Sequence, residues 1–299
     1  MKVVIFLKDY CLRAVAADGK IRAFVASSKH LVNYAAKIHG TSPVVSAALG
    51  RLLTATAIMG LMAGNEDDLI TVNIKADGPI GGVLATADGF GRVKGYAQNP
   101  IVIIDNKPDG KLNVGGAVGS GFITVMKDLG LKEPYVGRLT LVSGEIAEDI
   151  TNYFAASEQT PTVLSLGVLV DVDYSVKAAG GFLIQLMPGA EEELVLGLES
   201  KMADFPSISG LFDEDKSPED VLDLLLADFN YTITAKADLE YYCNCNKKRV
   251  TAALISLGTE QLNQIINEDG KAEIKCHFCN KNYFFDKEAL LNILNESIV

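Results

Sequence analysis

The sequence predicts an α+β fold with three parts: an N-terminal mixed sheet-and-helix domain (1–188), an acidic helical linker (189–236) and a small C-terminal domain (237–299). Three observations point there. Asp-Gly turn signals at Asp18-Gly19, Asp77-Gly78, Asp88-Gly89 and Asp109-Gly110 bracket short β-rich runs. Strand-like and helix-like runs do not alternate regularly, which argues against a doubly wound sheet. Charge is also uneven: 1–188 carries 17 basic and 17 acidic side chains, 189–236 carries 3 and 12, and 237–299 carries 7 and 9. Nearly all of the net −11 therefore sits in the middle segment. No part of the chain is cationic, which argues against nucleic acid as a partner.

Taken in order, the apolar run 3–7 is too short and too soon followed by charge for a secretory signal. Cys11 lies in an apolar, strand-like stretch and reads as a small buried hydrophobe. A helical region covers 30–63, and Pro43 divides it, because a residue before proline disfavours helix. Within it, 44–63 is apolar enough to raise the question of a membrane span. Arg51 interrupts the run, and Ser46, Thr54 and Thr56 dilute it, so a helix buried on all sides is expected and no membrane partner. The runs 69–75, 82–86 and 91–97 predict an antiparallel meander. Segment 115–121 is glycine-rich, but it lacks the Lys-Ser/Thr of a P-loop and the spacing of a dinucleotide fingerprint. It reads as a turn or closely packed backbone. A helix is expected over 143–157 and strands over 162–171 and 181–187.

The middle segment reads as two helices. Glu191, Glu192 and Glu193 open the first, placed well for its N-terminal dipole, with Leu194, Val195, Leu198, Met202 and Phe205 as its apolar positions. Gly197 in its interior costs about 1 kcal/mol against alanine. Ser217 as N-cap, Pro218 at N1 and Asp220 at N3 open the second, which runs through Val221, Leu222, Leu224, Leu225 and Phe229. Both apolar faces need a surface to cover, and the like charges repel on compaction. The segment is therefore expected to fold only while docked.

The C-terminal part has little apolar core, with a helix over 259–267 capped by Thr259 and another from Asp286. Its chemistry lies in four of the chain's five cysteines: Cys243 and Cys245 as C-x-C, Cys276 and Cys279 as C-x-x-C. Two thiolate pairs brought face to face make a tetrahedral four-cysteine zinc site, and a domain this small commonly needs a metal to be stable. Tyr283, Phe284 and Phe285 are expected to pack over the second pair. His277 lies inside C-x-x-C, but four thiolates already satisfy zinc. The zinc is either a staple or a guard on oxidisable thiolates, and Lys247, Lys248 and Arg249 beside the first pair favour thiolate character. Cysteines at ligand spacing with Cys11 unpaired indicate a reducing compartment, so a cytoplasmic location is expected. No nucleophilic-serine elbow appears, and His30 and His39 are isolated, so no enzyme is expected.

Beyond the cysteines, the segments Gly119-Ser120-Gly121, Lys127-Asp128-Leu129-Gly130, Glu133-Pro134-Tyr135, Leu141 to Asp149 (LVSGEIAED), Tyr153-Phe154 and Ser157-Glu158-Gln159 occur in the order seen in one family. Together with the C-x-C…C-x-x-C constellation, the chain closely resembles the heat shock protein 33 family of redox-regulated cytosolic holdase chaperones over essentially its whole length. The resemblance implies an ATP-independent holdase, inactive while reduced and zinc-bound. It implies disulfides Cys243–Cys245 and Cys276–Cys279 on oxidation, with zinc release, unfolding of the small domain and detachment of the linker. Unfolding client proteins are the implied partners. A homodimer in the oxidised form, thioredoxin or glutaredoxin systems for reversal, and ATP-driven foldases downstream complete the set. Where the family often reads Ser-Arg-Glu-Arg after the C-x-C, this chain has Asn246-Lys247-Lys248-Arg249, which leaves the ligands untouched and bears on the oxidant threshold. Two other readings compete. A regulatory binding module would keep the zinc purely structural, and a thiol–disulfide enzyme is disfavoured because the cysteines lack a thioredoxin-like βαβ setting.

Overall fold

The computed structural model describes residues 9–296, so the apolar run 3–7 lies outside the described residues. The chain forms two compact units that meet in sequence between Tyr242 and Cys243. The first unit contains β1 (Tyr10–Ala16), β2 (Ile21–Ser27), α1 (Lys29–His39), α2 (Pro43–Ala63), β3 (Leu69–Ala76), β4 (Gly82–Asp88) and β5 (Arg92–Ala97). It continues with α3 (Val114–Val118), β6 (Gly121–Asp128), β7 (Tyr135–Thr140), α4 (Ala147–Ser157), β8 (Thr162–Val170) and β9 (Val176–Leu186). Then come α5 (Glu192–Ala203), α6 (Ile208–Asp213), α7 (Pro218–Leu226), β10 (Thr232–Asp238) and β11 (Glu240–Tyr241).

Two sheets hold this unit together, ordered β10-β1-β2-β9-β8 and β11-β5-β4-β3-β6-β7. The expected meander is present as β5-β4-β3, antiparallel throughout. Helix α2 packs against strands of both sheets. Among the described residues it is the one helix long and apolar enough to cross a membrane, yet 89% of its apolar window is buried in the protein. It is the core helix. Its threonine hydroxyls are satisfied within the helix, since Thr54 and Thr56 donate to the Gly50 and Leu52 carbonyls, and the Arg51 guanidinium pairs with Glu145 at 2.6 Å through Nη1 while its Nε is buried without a partner among the described residues. Gly50 is glycine for space, since a Cβ there would meet Val32 Cγ1 at 2.4 Å.

Period-two alternation divides the five-stranded sheet between two cores. Cys11, Phe24, Ala26 and Leu183 face α2, and Cys11 is the buried hydrophobe its sequence context suggested. Leu12, Ala14, Ile21, Val25, Phe182 and Ile184 face the other way. That second face is covered by α5, α6 and α7 through Leu198, Ile208, Leu211, Val221, Leu222, Leu225 and Leu226. The α7 start is the expected one: Ser217 Oγ accepts from the Asp220 N–H at 3.1 Å, and Asp220 Oδ2 accepts from the Ser217 N–H at 2.8 Å.

The acidic segment ends differently from the helical reading. Residues Thr232–Asp238 form a strand, β10, antiparallel to β1 with a bulge opposite Arg13/Ala14. Its side chains are nearly all exposed, so it carries no hydrophobic alternation that a sequence could display. Next comes β11, parallel to β5, and the Tyr241 hydroxyl donates to the Gly95 carbonyl at 2.8 Å.

Two buried carboxylates organise turns. Asp149 Oδ1 accepts from the Val142, Ser143 and Gly144 N–H groups, and its Oδ2 accepts from Ile146 N–H at 2.9 Å. These bonds hold Ile146 at φ +74°, a left-handed conformation strained for a β-branched residue. Asp9 does comparable work for α1, whose N-cap Ser28 makes no side-chain cap bond. Asp9 Oδ2 accepts from Leu31 N–H at 2.6 Å instead.

Burial pushes the Asp9 carboxyl up to about 6, against the lowering effect of the Leu31 and His30 N–H bonds. A carboxyl raised in the folded state favours folding most below its unfolded value near 4, and that contribution is lost as pH rises through about 6. Asp9→Asn keeps an acceptor for Leu31 and removes the titration. The expected outcome is that the stability of the native chain, relative to Asp9→Asn, falls by at most about 3 kcal/mol between pH 4 and 7. Urea unfolding across that range checks it, and parallel pH profiles for the two chains would refute it.

Candidate metal centre

The second unit, from Cys243 onward, contains α8 (Lys247–Ile255), α9 (Thr259–Glu268), β12 (Lys271–Lys275), β13 (Asn282–Asp286) and α10 (Lys287–Glu296). Its core is thin: Leu254, Leu262, Ile266, Tyr283, Phe285, Leu290, Ile293 and Leu294. Strands β12 and β13 form an antiparallel hairpin whose turn is the C-x-x-C segment. There the Cys276 N–H donates to the Lys281 carbonyl at 3.0 Å and the Asn280 N–H returns to the Cys276 carbonyl at 2.8 Å. Asn280 takes the left-handed conformation, φ +58°, that such a tight reversal requires. On the other side, Asn246 caps α8 by accepting from Arg249 N–H at 2.9 Å, which ends the C-x-C segment in a fixed corner.

These two corners bring all four thiols together. The Sγ atoms of Cys243, Cys245, Cys276 and Cys279 lie within 4.8 Å of one another, half-buried and free of disulfides. Cys243 and Cys276 approach to 3.7 Å, and Cys245 and Cys279 to 3.3 Å. Four sulfurs about 2.3 Å from one tetrahedral ion stand about 3.8 Å apart, so this cluster fits a metal ion held by four thiolates.

Proton chemistry supports the same fit. Burial raises the Cys245 thiol, but the Tyr283 hydroxyl, donating at 3.1 Å, and the Cys279, Cys243 and Cys276 sulfurs outweigh it and bring it down to about 7. Burial pushes the Cys279 thiol well up, and its sulfur neighbours add to that. Cys243 is likewise raised, burial first. Adjacent thiols cannot all ionise alone, because each thiolate disfavours the next. A cation at the centre removes that penalty for all four.

Two local expectations are modified. Tyr283 and Phe285 are buried beside the cluster, while Phe284 is 66% exposed, because strand alternation turns it to the opposite face. Helix α9 begins at Thr259, but its N-cap is Gly258 and no side chain caps it. The Tyr283 hydroxyl contact with Cys245 was not read from sequence. The aromatic run after C-x-x-C signalled packing, and nothing in it marked one phenol as a donor to sulfur.

The profile of the Hsp33 protein family matches residues 9–286, and the chain belongs to that family. It is 52% identical over 291 residues to the 33 kDa chaperonin of Clostridioides difficile (strain 630), covering 97% of this chain and 100% of the relative. It is 48% identical over 291 residues to the 33 kDa chaperonin of Lachnoclostridium phytofermentans, with the same coverage. The crystal structure of the 33 kDa chaperonin (heat shock protein 33 homolog) of Thermotoga maritima superposes with a TM-score of 0.89 at 36% identity, over 97% of this chain and 99% of that one. Membership of this family supports a chaperone function and, with it, the binding of unfolded proteins.

Because the second unit's apolar core is so small, its folding should depend on the bridged sulfurs. In Cys276→Ser, or after metal removal by a strong chelator, amide protection in β12, β13 and α10 is expected to fall to unfolded levels. Protection in β3, β4 and β6 should stay. Hydrogen exchange read by mass spectrometry checks this. A second unit still protected without metal would show that its core folds alone.

Proposed function

We propose that this chain is a cytoplasmic, redox-regulated, ATP-independent holdase, silent while reduced and zinc-bound. The observation that carries the reading is the four-thiol cluster in a unit with almost no other core. Cys243, Cys245, Cys276 and Cys279 would hold one Zn2+. Bound there, zinc keeps all four sulfurs as thiolates and ties the C-x-C corner to the hairpin turn. The residues around it set the balance: Tyr283 stabilises thiolate at Cys245, and Asn246 fixes the approach of the first pair.

Oxidation removes the ligands in pairs. Two thiolates become one disulfide by giving up two electrons, which hydrogen peroxide takes up together with two protons from solvent to leave two waters. Two such steps would convert all four ligand sulfurs, leaving none of the thiolates that would hold a zinc ion and removing the second unit's main constraint. The family resemblance supports Cys243–Cys245 and Cys276–Cys279 as the products. Two close sulfur contacts of the reduced form run between the pairs, at 3.7 and 3.3 Å, so proximity in the folded cluster does not by itself select these products. Release of the 189–236 segment would then uncover the second apolar face of the five-stranded sheet, a surface for unfolding clients. Dimerisation of the oxidised form, reduction by thioredoxin or glutaredoxin systems and hand-over to ATP-driven foldases complete the proposed cycle. The division into a 1–188 core, a 189–236 linker and a 237–299 switch domain belongs to this reading.

Three measurements test it. Peroxide treatment at unfolding temperature should release one zinc per chain and raise suppression of aggregation of a denatured client at least tenfold. Equal suppression by reduced and oxidised protein would end the redox reading and favour a binding module with structural zinc. Peptide mapping of the oxidised chain should recover Cys243–Cys245 and Cys276–Cys279, and bridges between the pairs would overturn the pairing. Limited proteolysis should cut within 189–236 only after oxidation. An unchanged digest with zinc gone would uncouple the segment from the switch.

A further inference from the structure

Strand β10 is bound to the sheet in an unusual way. Thr232, Ile233, Thr234, Ala235, Lys236 and Asp238 are all exposed, so the strand buries almost no side chain. What holds it is the main-chain ladder to β1, with three side-chain contacts beside it: Thr234 Oγ1 donates to the Arg13 carbonyl at the bulge, and Lys236 Nζ lies 3.6 Å above the Tyr10 ring and pairs with Glu219 of α7 at 3.3 Å. The Leu239 N–H donates to the Asp9 carbonyl at 2.8 Å. By the alternation of an antiparallel ladder, Ala237 and Ala235 therefore also aim their N–H groups at β1, and Cys11 and Arg13 aim theirs at β10.

The strand beneath is the opposite case. Tyr10, Cys11, Leu12, Ala14 and Ala16 are all buried, so β1 is fixed by cores on both of its faces. A rigid strand with an open edge is a ready template for another extended chain. Here the edge is filled by a segment that contributes mainly backbone, and that contribution is one any polypeptide can make. The occupant is also the last long strand before the first thiol of the cluster, with β10 ending at Asp238 and Cys243 following β11.

We propose that β10 is a built-in stand-in for client: the edge of β1 from Tyr10 to Ala16 is a strand-docking site for extended, non-native polypeptide, and β10 masks it. Recognition through main-chain hydrogen bonds is indifferent to side chains, which suits a protein that must hold many sequences. The inference rests on the holdase reading and adds to it a second mode of capture, beside the apolar face under α5–α7.

Residue-resolved hydrogen exchange on the full chain tests it, with reduced, carboxymethylated α-lactalbumin as the permanently unfolded probe. On oxidation, the Cys11 and Arg13 amides should exchange at least tenfold faster, and adding the probe should restore their protection. A second arm leaves the thiols alone. Ala235→Pro/Ala237→Pro removes two ladder donors from β10, and this variant, reduced and zinc-loaded, should bind the probe at least tenfold more tightly than the unsubstituted chain. If the variant does not fold, exchange on the unsubstituted chain decides. Probe binding to the oxidised chain with Cys11 and Arg13 still in fast exchange would overturn the docking site and leave the holdase reading standing. Protection regained by raising protein concentration without probe would also overturn it, assigning the edge to a second copy. Absence of any probe binding after oxidation would remove the holdase reading itself.

Discussion

The five-stranded sheet is apolar on both faces, and the rest of the first unit is arranged to satisfy that constraint. One face is closed permanently by α2, a helix apolar all round that also lies against the six-stranded sheet and so has no position outside the core. The other face is closed by residues that come last in the unit and carry net charge −9 over 189–236. The two covers have the same chemistry at the contact and opposite chemistry at their backs. The back of α2 is core, whereas the backs of α5 and α7 carry glutamate and aspartate beside the exposed Leu196 and Leu224. The like charges on that cover repel one another, so what holds it in place is chiefly the leucines it buries.

The terminal unit shows the same economy in a harsher form. Eight buried apolar residues close around a hairpin and three helices, and two of the four sulfurs pack at the edge of that cluster. The sulfurs therefore act in the core and in the chemistry together. Tyr283 shows the overlap: its ring is buried in the cluster while its hydroxyl donates to Cys245. Any change in the bonding of the sulfurs is felt directly by the packing, with no relay needed.

Much of this was legible in sequence because it is written in local pattern. The Ser217-Pro218-Asp220 start of α7, the division at Pro43, the Asp-Gly turns of the meander and the paired cysteines each depend on residues a few positions apart. What escaped depends on distance in the chain. Asp9 caps a helix that begins at Lys29, so the vacancy at the Ser28 cap has its answer twenty residues upstream. Asp149 gathers four N–H groups and a strained Ile146, which only the folded turn reveals. The strand β10 was invisible for a different reason. TITAKAD has no buried face, so period-two alternation, the signal by which strands are recognised, has nothing to act on.

That absence of pattern is informative in itself. A strand is usually kept in place by what its side chains bury, and edge strands are usually protected by charge, proline or a bulge. β10 has a bulge at Thr234, which discourages further pairing on its own outer edge, and its one lysine, over Tyr10, is the main side-chain contribution to its hold on β1. Its affinity for β1 must then come mostly from backbone hydrogen bonds, whose net worth is about 1 kcal/mol each once water is counted as the competitor. A strand held this way stays while the chain on either side of it is anchored, by α7 before it and by β11 after it, and its effective concentration at the edge is high. Loosening either anchor removes that advantage without breaking a single ladder bond directly. Such a strand lies in sequence between the acidic α5–α7 cover and β11, and its hold on the edge of β1 depends on both neighbours.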